Sequence, residues 1–373
     1  MQGANNYTGS TSVLFGSLIV AADAPFNAPG ALGRATSNVI VGADSATFAV
    51  VGGGSAQLLI DGNFTIGRNV TLANGTFDKT LGAQNAPTGA TFSGAVDLGT
   101  STSVHLKATS ATDKVTFSGG LSNGAAGGTV AIDGLGTISF AGAGKAYAYA
   151  NATNISSGTL RIESGASFTG NGDVTVASGA QLIVHGSLSG SGALAINGGT
   201  VGGSGTINRP FTLDTGDVLS PGNGLGTLNT GVETWAGGGR LRLEIGSVTG
   251  GGGTGWDLVN VTGALSLTAS SGSKFTLELD SLTSGGASGL LGNFNPNANY
   301  SWTFLTAGSV TGFNASAFTV DTSGFQNAFN GSFSVGLTGD GQGLTVNYLA
   351  VPEPSAALLA LGGAALLFRR RRP

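Results

Sequence analysis

The chain of 373 residues contains no cysteine, and charged residues make up only 9% of it. Without cysteine there are no disulfides, no thiol nucleophile and no cysteine-based zinc site. Only two histidines, His105 and His185, are present, so the material for acid–base or metal chemistry is scarce. Lysine and arginine are not clustered before the C-terminal tail. A nucleic-acid partner is therefore disfavoured, because phosphate binding needs a basic patch.

Glycine is abundant instead, with 68 residues, whereas proline contributes only 9. Hydrophobic residues make up 40% of the chain, and the glycines follow no Gly-X-Y period. This composition argues against both collagen and ordinary disorder, since enough apolar material is present to build a core. Glycine also supplies the backbone conformations that corners between strands require.

Short apolar-alternating runs bounded by Gly, Ser, Asn or Asp make up the body of the chain, most clearly between residues 156 and 220. The two-residue period predicts strands with one buried face, and the predicted inward residues are Leu160, Ile162, Val174, Val176, Leu182, Val184, Leu194 and Ile196. Equivalent strand positions fall at Leu160, Leu182, Val201 and Leu219, which are 22, 19 and 18 residues apart.

Such spacing corresponds to one coil of a solenoid, so we expect an all-β fold built as a right-handed parallel β-helix. Antiparallel hairpins are the competing interpretation, because Asn-Gly pairs are hairpin signals and occur at 74–75, 123–124, 171–172 and 197–198.

Three segments carry a family resemblance. Residues 3–33 combine Asn-Tyr-Thr-Gly at 6–9, a strand at Gly16–Val20 and Ala-Leu-Gly at 31–33, and they resemble the autotransporter-associated β-strand repeat. A second copy runs from Tyr149 to Ile162. Residues 219–231 resemble the Ser-Pro-Gly-Asn coil that closes many such repeat proteins. We therefore expect a β-helix over residues 1–231 and a β-rich C-terminal cap over 232–350.

The N-terminal twenty residues show neither a basic start nor an apolar export segment. The first repeat also begins at residue 3 with no visible cap over the first coil. We expect the chain to be N-terminally truncated, or to start at a wrongly chosen Met.

The last residues have a different character. Pro352, Glu353 and Pro354 form an extended turn, residues 355–368 carry no charge, and residues 369–372 are four arginines. The prolines cannot continue regular structure, the apolar stretch can enter a bilayer as a helix, and the arginines remain with anionic headgroups. As a helix the stretch would reach about 21 Å, short of a hydrocarbon core of roughly 30 Å. Snorkelling arginines and local thinning can close that gap.

This order of parts over residues 351–373 resembles the PEP-CTERM sorting signal of Gram-negative bacteria. The resemblance implies export, a transient anchor at 355–368, and a cytoplasmic stop formed by Arg369, Arg370, Arg371 and Arg372. It also implies that an exosortase recognises Pro352, Glu353 and Pro354 and releases the body to the cell surface or extracellular matrix. Without the four tail arginines, 11 basic residues face 19 acidic ones, giving a net charge of −8.

Candidate chemical sites are few, and we expect neither a cofactor nor a metal. His185 follows a strand, where a corner histidine is ordinary. Residues 252–260 match one copy of a calcium-binding nonapeptide and make Asp257 a weak metal candidate. One copy cannot build that site, because each ion is shared between successive turns, so Asp257 is better interpreted as the edge of the strand at 258–261. The aspartates beside Gly are expected to cap turns, and they are Asp61, Asp133, Asp173 and Asp217.

The sequence therefore favours a non-enzymatic, exported structural or adhesive protein. Its expected partners are an exosortase and the membrane, together with exopolysaccharide or other surface proteins. A polysaccharide-active β-helix enzyme is the alternative. It would require charged residues to converge on one outer face, with Asp133, Asp173, Arg161 and Lys145 as candidates. An autotransporter passenger is a third option that depends on the repeat resemblance alone.

Overall fold

The computed structural model describes residues 1–44, 47 and 54–351. Its regular structure is almost entirely β, in three sheets, with one 3-10 helix at Ala315–Ala317. The all-β prediction is confirmed.

The first sheet contains 16 strands. They are β1 (Thr11–Val13), β3 (Val39–Val41), β6 (Val70–Leu72), β9 (Val96–Asp97), β12 (Leu121–Asn123), β15 (Ala146–Tyr149), β18 (Ser167–Phe168), β21 (Ser187–Leu188), β24 (Thr206–Ile207), β25 (Phe211–Leu213), β27 (Thr227–Thr230), β28 (Glu233–Trp235), β30 (Leu258–Leu267), β32 (Tyr300–Thr311), β34 (Ser332–Leu337) and β35 (Gly343–Leu349).

The second sheet contains 8 strands and the third contains 11. Those of the second are β2 (Gly16–Val20), β4 (Ala56–Asp61), β7 (Lys79–Gln84), β10 (Ser103–Ala108), β13 (Thr129–Asp133), β16 (Ala152–Ile155), β19 (Val174–Ala177) and β22 (Leu194–Asn197). Those of the third are β5 (Thr65–Ile66), β8 (Ala90–Phe92), β11 (Lys114–Phe117), β14 (Thr137–Phe140), β17 (Thr159–Ile162), β20 (Gln181–Val184), β23 (Thr200–Gly203), β26 (Val218–Pro221), β29 (Arg240–Ile245), β31 (Phe275–Ser281) and β33 (Phe318–Gly324).

Through most of the chain each strand pairs in parallel with the strand three places later, so that successive coils stack. In the third sheet Leu160 pairs with Leu182, Leu182 with Val201, and Val201 with Leu219. These are the equivalent positions predicted from the sequence spacing, and parallel pairing rather than hairpins joins them. The arrangement is consistent with a parallel β-solenoid.

Parallel stacking continues past residue 231, because β27 pairs with β30 and β30 with β32. The first sheet ends in antiparallel pairs of β35 with β32 and with β34.

The core lies between the three sheets. The eight inward residues predicted between 160 and 196 are all buried. Stacked rings add to this packing. The centroids of Phe92 and Phe117, which are paired on successive coils, lie 5.0 Å apart, and those of Phe140 and Tyr147, on the consecutive strands β14 and β15, lie 4.2 Å apart. Burial of these side chains from successive coils is the main favourable contribution to stability.

Asparagine and aspartate at the corners bind backbone amides of a neighbouring coil. Asn69 Oδ1 accepts from the Ala95 N–H at 2.9 Å, and Asp173 Oδ1 accepts from the Ala193 N–H at 2.8 Å. Asp217 accepts from the Gly198 N–H at 2.7 Å, one coil back. Asp173 and Asp217 therefore cap the backbone as predicted, and they also join neighbouring coils. Asp61 instead accepts from the Asn85 side chain, and Asp133 contacts the side chains of His105 and Ser156.

Arginine is used in the interior in a similar way. Arg209 is fully buried, and its guanidinium donates to the carbonyls of Ser189 at 3.0 Å and Gly172 at 2.8 Å, and also to Gly170. It lies 5.6 Å from the Phe168 ring centroid. The five donors of arginine suit this role, because they satisfy carbonyls of several loops at once.

Over the described ranges, no helix is long and apolar enough to cross a bilayer. The predicted span at 355–368 and the motifs on either side of it lie outside those ranges.

Candidate functional site

An outward-facing groove on the second sheet brings several ionisable side chains together. It encloses about 510 Å³ and is lined by Ser55, Gln57, Asp78, Thr80, His105, Lys107, Asp133 and Gly134. This volume falls within the range of small-ligand sites. We call it the His105 groove.

Strand alternation places the histidine on the outer face. In β10, Val104 and Leu106 point inward and are fully buried, so His105 and Lys107 face outward. The neighbouring strands β7 and β13 are likewise anchored by buried residues, Leu81 and Ile132, and together the three strands form the base of the groove.

The register then decides which groups meet. His105 lies beside Thr80 of β7 and Ala131 of β13. The acidic residues Asp78 and Asp133 are each two positions away from these partners, one towards each end, on the same outward face. The imidazole therefore lies diagonally between two carboxylates from two different coils.

Both ring nitrogens face a carboxylate. Nδ1 of His105 hydrogen-bonds to Oδ2 of Asp133, and Nε2 is 3.7 Å from Oδ1 of Asp78. A neutral imidazole has one N–H donor, whereas the imidazolium has two. The geometry therefore favours the charged form.

Serine hydroxyls hold the two carboxylates in place. Ser103 Oγ donates to Asp78 Oδ1 at 2.6 Å, and Ser55 Oγ approaches Asp78 Oδ2 at 3.4 Å. On the other side, Ser156 Oγ donates to Asp133 Oδ1 at 3.2 Å. The network thus extends across neighbouring coils.

The electrostatics follow from these contacts. The hydrogen bond that His105 Nδ1 donates to Asp133 raises the pKa of His105, and the same bond lowers the pKa of Asp133. The Ser103 hydroxyl lowers the pKa of Asp78, and His105 adds to that effect. These contacts therefore favour the ionised forms of Asp78 and Asp133 and the protonated form of His105.

Gly134 lets the chain turn sharply at the rim of the groove. Its φ is +87°, and a Cβ at this position would lie 1.9 Å from the Ala108 carbonyl oxygen. Only glycine fits such a turn without displacing the neighbouring coil.

Two other clefts are lined by neutral residues. One of about 550 Å³ follows a corner over several coils and includes Asn74, Asn123 and Asn171. The other, of about 800 Å³, lies among loops that include Asn223 and Asn293. These clefts offer amides and hydroxyls but no Asp, Glu, His, Lys or Arg side chain.

The charged residues proposed for an enzyme are divided among the sheets. Asp133 lies in the His105 groove, whereas Asp173 caps the backbone at Ala193. Arg161 pairs with Glu163 at 2.9 Å on the third sheet, and Lys145 precedes β15 of the first sheet. The predicted set of four therefore does not converge.

Asp257, the weak calcium candidate, is 1% exposed. Its Oδ1 accepts from the Gly226 N–H and its Oδ2 from the Glu244 N–H, both at 2.9 Å. Burial raises its pKa to about 8. It immediately precedes β30, as predicted, and acts as a backbone cap. In the described part of the chain, no group of three or more His, Asp or Glu side chains is arranged to hold a metal ion.

His185 directly follows β20, as predicted, and its Nδ1 is 3.0 Å from Ser204 Oγ. Burial lowers its pKa, and the charge of Arg161 adds to this effect. The two histidines of the chain therefore have opposite pKa shifts. The sorting-motif residues Pro352, Glu353 and Pro354 and the arginines at 369–372 lie outside the described residues.

No family model matches the chain. No curated protein matches it either. The resemblances described for the repeats and for the C-terminal tail therefore rest on their sequence motifs alone.

Proposed function

We propose that this chain is an exported structural or adhesive protein of the cell surface or extracellular matrix, anchored transiently in the membrane by its C-terminal tail. An exosortase would cut close to Pro354 and release the body. The proposal includes no catalytic step and no cofactor.

The order of parts in the tail is the observation that carries the proposal. A Pro-Glu-Pro turn, an uncharged stretch at 355–368 and four arginines follow one another without interruption. An apolar helix followed by arginines enters a bilayer with its basic end on the cytoplasmic side. The residues before Pro352 would then lie outside the cytoplasm.

The body suits a structural role. Its outward rows are rich in Ser, Thr, Asn and Gly, and the neutral clefts repeat amides from coil to coil. Many weak hydrogen bonds along one rod give strong attachment to a repetitive partner, because each bond raises the effective concentration for the next. Exopolysaccharide or neighbouring surface proteins fit this description.

The finer architecture belongs to the same proposal. We expect right-handed winding, because parallel crossover connections almost always have this hand. Residues 1–231 would form the repeat region and residues 232–350 the segment that ends it, with 351–373 as the sorting signal. An experimental structure of the released body would test the winding and the division.

Glu353→Ala and Pro354→Ala, each made in the full-length protein in its native cells, test the sorting signal. We expect the wild-type body in the surface and medium fractions and both variants in the membrane fraction, still carrying the tail. Ser355→Ala is the matched control and should be released normally. Normal release of both motif variants, or an intact wild-type protein free in the cytoplasm, would contradict the proposal.

A polysaccharide-active enzyme is the second candidate, and the meeting of Asp133 with His105 and Asp78 is the observation that favours it. Both ring nitrogens of His105 are engaged by carboxylates, however, so an imidazole nitrogen is not free to serve a substrate. An enzyme would generate new chain ends in a polysaccharide incubated with the protein, whereas the structural role predicts none.

A further inference from the structure

The His105 groove concentrates charge in a chain that has very little of it. Only 34 of 373 residues are Lys, Arg, Asp or Glu, and only two are His. Asp78, His105, Lys107 and Asp133 nevertheless line one groove on three neighbouring strands. Charged side chains elsewhere on the outer surface form pairs on the third sheet, as Arg161 does with Glu163 and Arg242 with Asp280. The His105 groove differs from these pairs because it gathers acidic residues, a lysine and a histidine in one cavity.

The polar groups of the groove are held in position before any ligand arrives. Ser103 and Ser55 bind one carboxylate and Ser156 the other, and the strands beneath are anchored by the fully buried Leu81 and Leu106. Preorganised polar groups bind more tightly than mobile ones, because less conformational freedom is lost on binding.

The groove is lined by residues of both charge types. Two acidic residues, Asp78 and Asp133, lie beside two basic ones, His105 and Lys107, so no single sign of charge dominates the lining. Donors and acceptors still alternate, because carboxylate oxygens accept, the ammonium donates, and Gln57 does both. A neutral ligand with several hydroxyl groups satisfies such a surface.

We propose that the His105 groove binds a neutral, polyhydroxylated sugar unit of a polysaccharide. The inference rests on the proposed surface function and adds the place and the chemical class of the contact. Sugar hydroxyls would donate to Asp78 and Asp133 and accept from Lys107 and Gln57, and they would leave the His105 pairing intact.

The two histidines provide a direct test, because one lies in the groove and the other does not. Histidine-labelled wild-type protein is titrated with short neutral gluco-, manno- and galacto-oligosaccharides, and both imidazole signals are followed by NMR. His185→Gln assigns the signals. We expect the His105 signals to shift in a saturable manner with at least one neutral series, while the His185 signals stay in place.

Asp133→Asn and Lys107→Gln should each weaken binding about tenfold, as expected for loss of one hydrogen bond to a charged group. Thr175→Ala, on the outer face of β19, is the matched control and should leave the affinity unchanged. Retention of the His185 signal in its wild-type position shows that each variant is folded.

Three results would overturn the inference: no His105 shift with any neutral series, a shift with oligouronates alone, or equal shifts of both histidines. The outcome is independent of the sorting test. A protein that is released normally but whose His105 does not respond would lack this site and keep its surface function. A protein that binds sugar but remains in the cytoplasm would lack the surface function instead.

Discussion

Glu233 in β28 is a buried carboxyl whose replacement should change how stability depends on pH. Its side chain is fully buried, and Oε2 accepts from the Trp235 indole N–H at 2.6 Å. Oε1 has no hydrogen-bond partner among the residues that the structure describes. Ionisation at this position would leave a charge in the core with one hydrogen bond, which is costly.

The size of the effect follows from the pKa. Burial raises the pKa of Glu233 from its ordinary value of 4.5 to about 7. The group therefore favours the folded state fully below pH 4.5, and this contribution is lost as the pH rises to about 7. The free energy of unfolding should fall by about 3 kcal/mol over this interval, since one pKa unit corresponds to about 1.4 kcal/mol.

Glu233→Gln replaces the acid by a neutral amide of the same shape. Urea unfolding of both proteins between pH 4 and 9 gives the difference in free energy of unfolding. We expect Glu233→Gln to gain about 3 kcal/mol on the wild type between pH 4.5 and pH 7 and nothing further above that. The amide also changes the hydrogen bonding at this position. That change shifts the free energy of unfolding by the same amount at every pH, so it does not alter the pH dependence.

Glu163→Gln is the matched control, because Glu163 is half-buried on the outer face beside Arg161 and keeps contact with water. This variant should not reproduce the gain of about 3 kcal/mol, because a carboxyl in contact with water does not carry the cost of a charge buried in the core. The reasoning would be refuted by a difference between wild type and Glu233→Gln that stays constant over the whole pH range.

Two further substitutions test the stacking of coils by urea denaturation. Leu182→Ala truncates a fully buried side chain of the third-sheet ladder and should lower the free energy of unfolding by about 2–5 kcal/mol. Thr175→Ala, on the outer face, should change stability little. Equal losses of stability for the two variants would place Leu182 outside the core. Gly124 has a φ of +91°, and a Cβ there would lie 2.0 Å from Asn151 Oδ1. Gly144 has a φ of +69°, but the space around it is open. Gly124→Ala should therefore lower stability clearly more than Gly144→Ala. A similar cost for both would show that the close approach to Asn151 is unimportant.

The strands and their register between 156 and 220 were predictable because alternation and spacing were both regular there. Apolar-alternating runs also occur at residues 239–246, 257–268 and 274–280, and they match β29, β30 and β31 within a residue or two. Local pattern was sufficient in these cases, since each strand buries every second residue against the same core.

The His105 groove was not predictable as a unit, although His105 and Asp133 were each considered. The second-sheet ladder passes through residues 81, 106, 132, 155, 176 and 196, so the coils shorten from 25 or 26 residues to 20 along the chain. A period of 18 to 22 residues, taken from the regular region, does not bring Asp78 beside His105.

Corner loops change length at little energetic cost, because they lie outside the stacked core. The inward Leu81, Leu106 and Ile132 carry the register through these changes, and aligning them would have placed Asp78, His105 and Asp133 on one face. The stacked strands thus determine where the charged side chains meet. The variable loop lengths make this meeting difficult to recognise from the sequence.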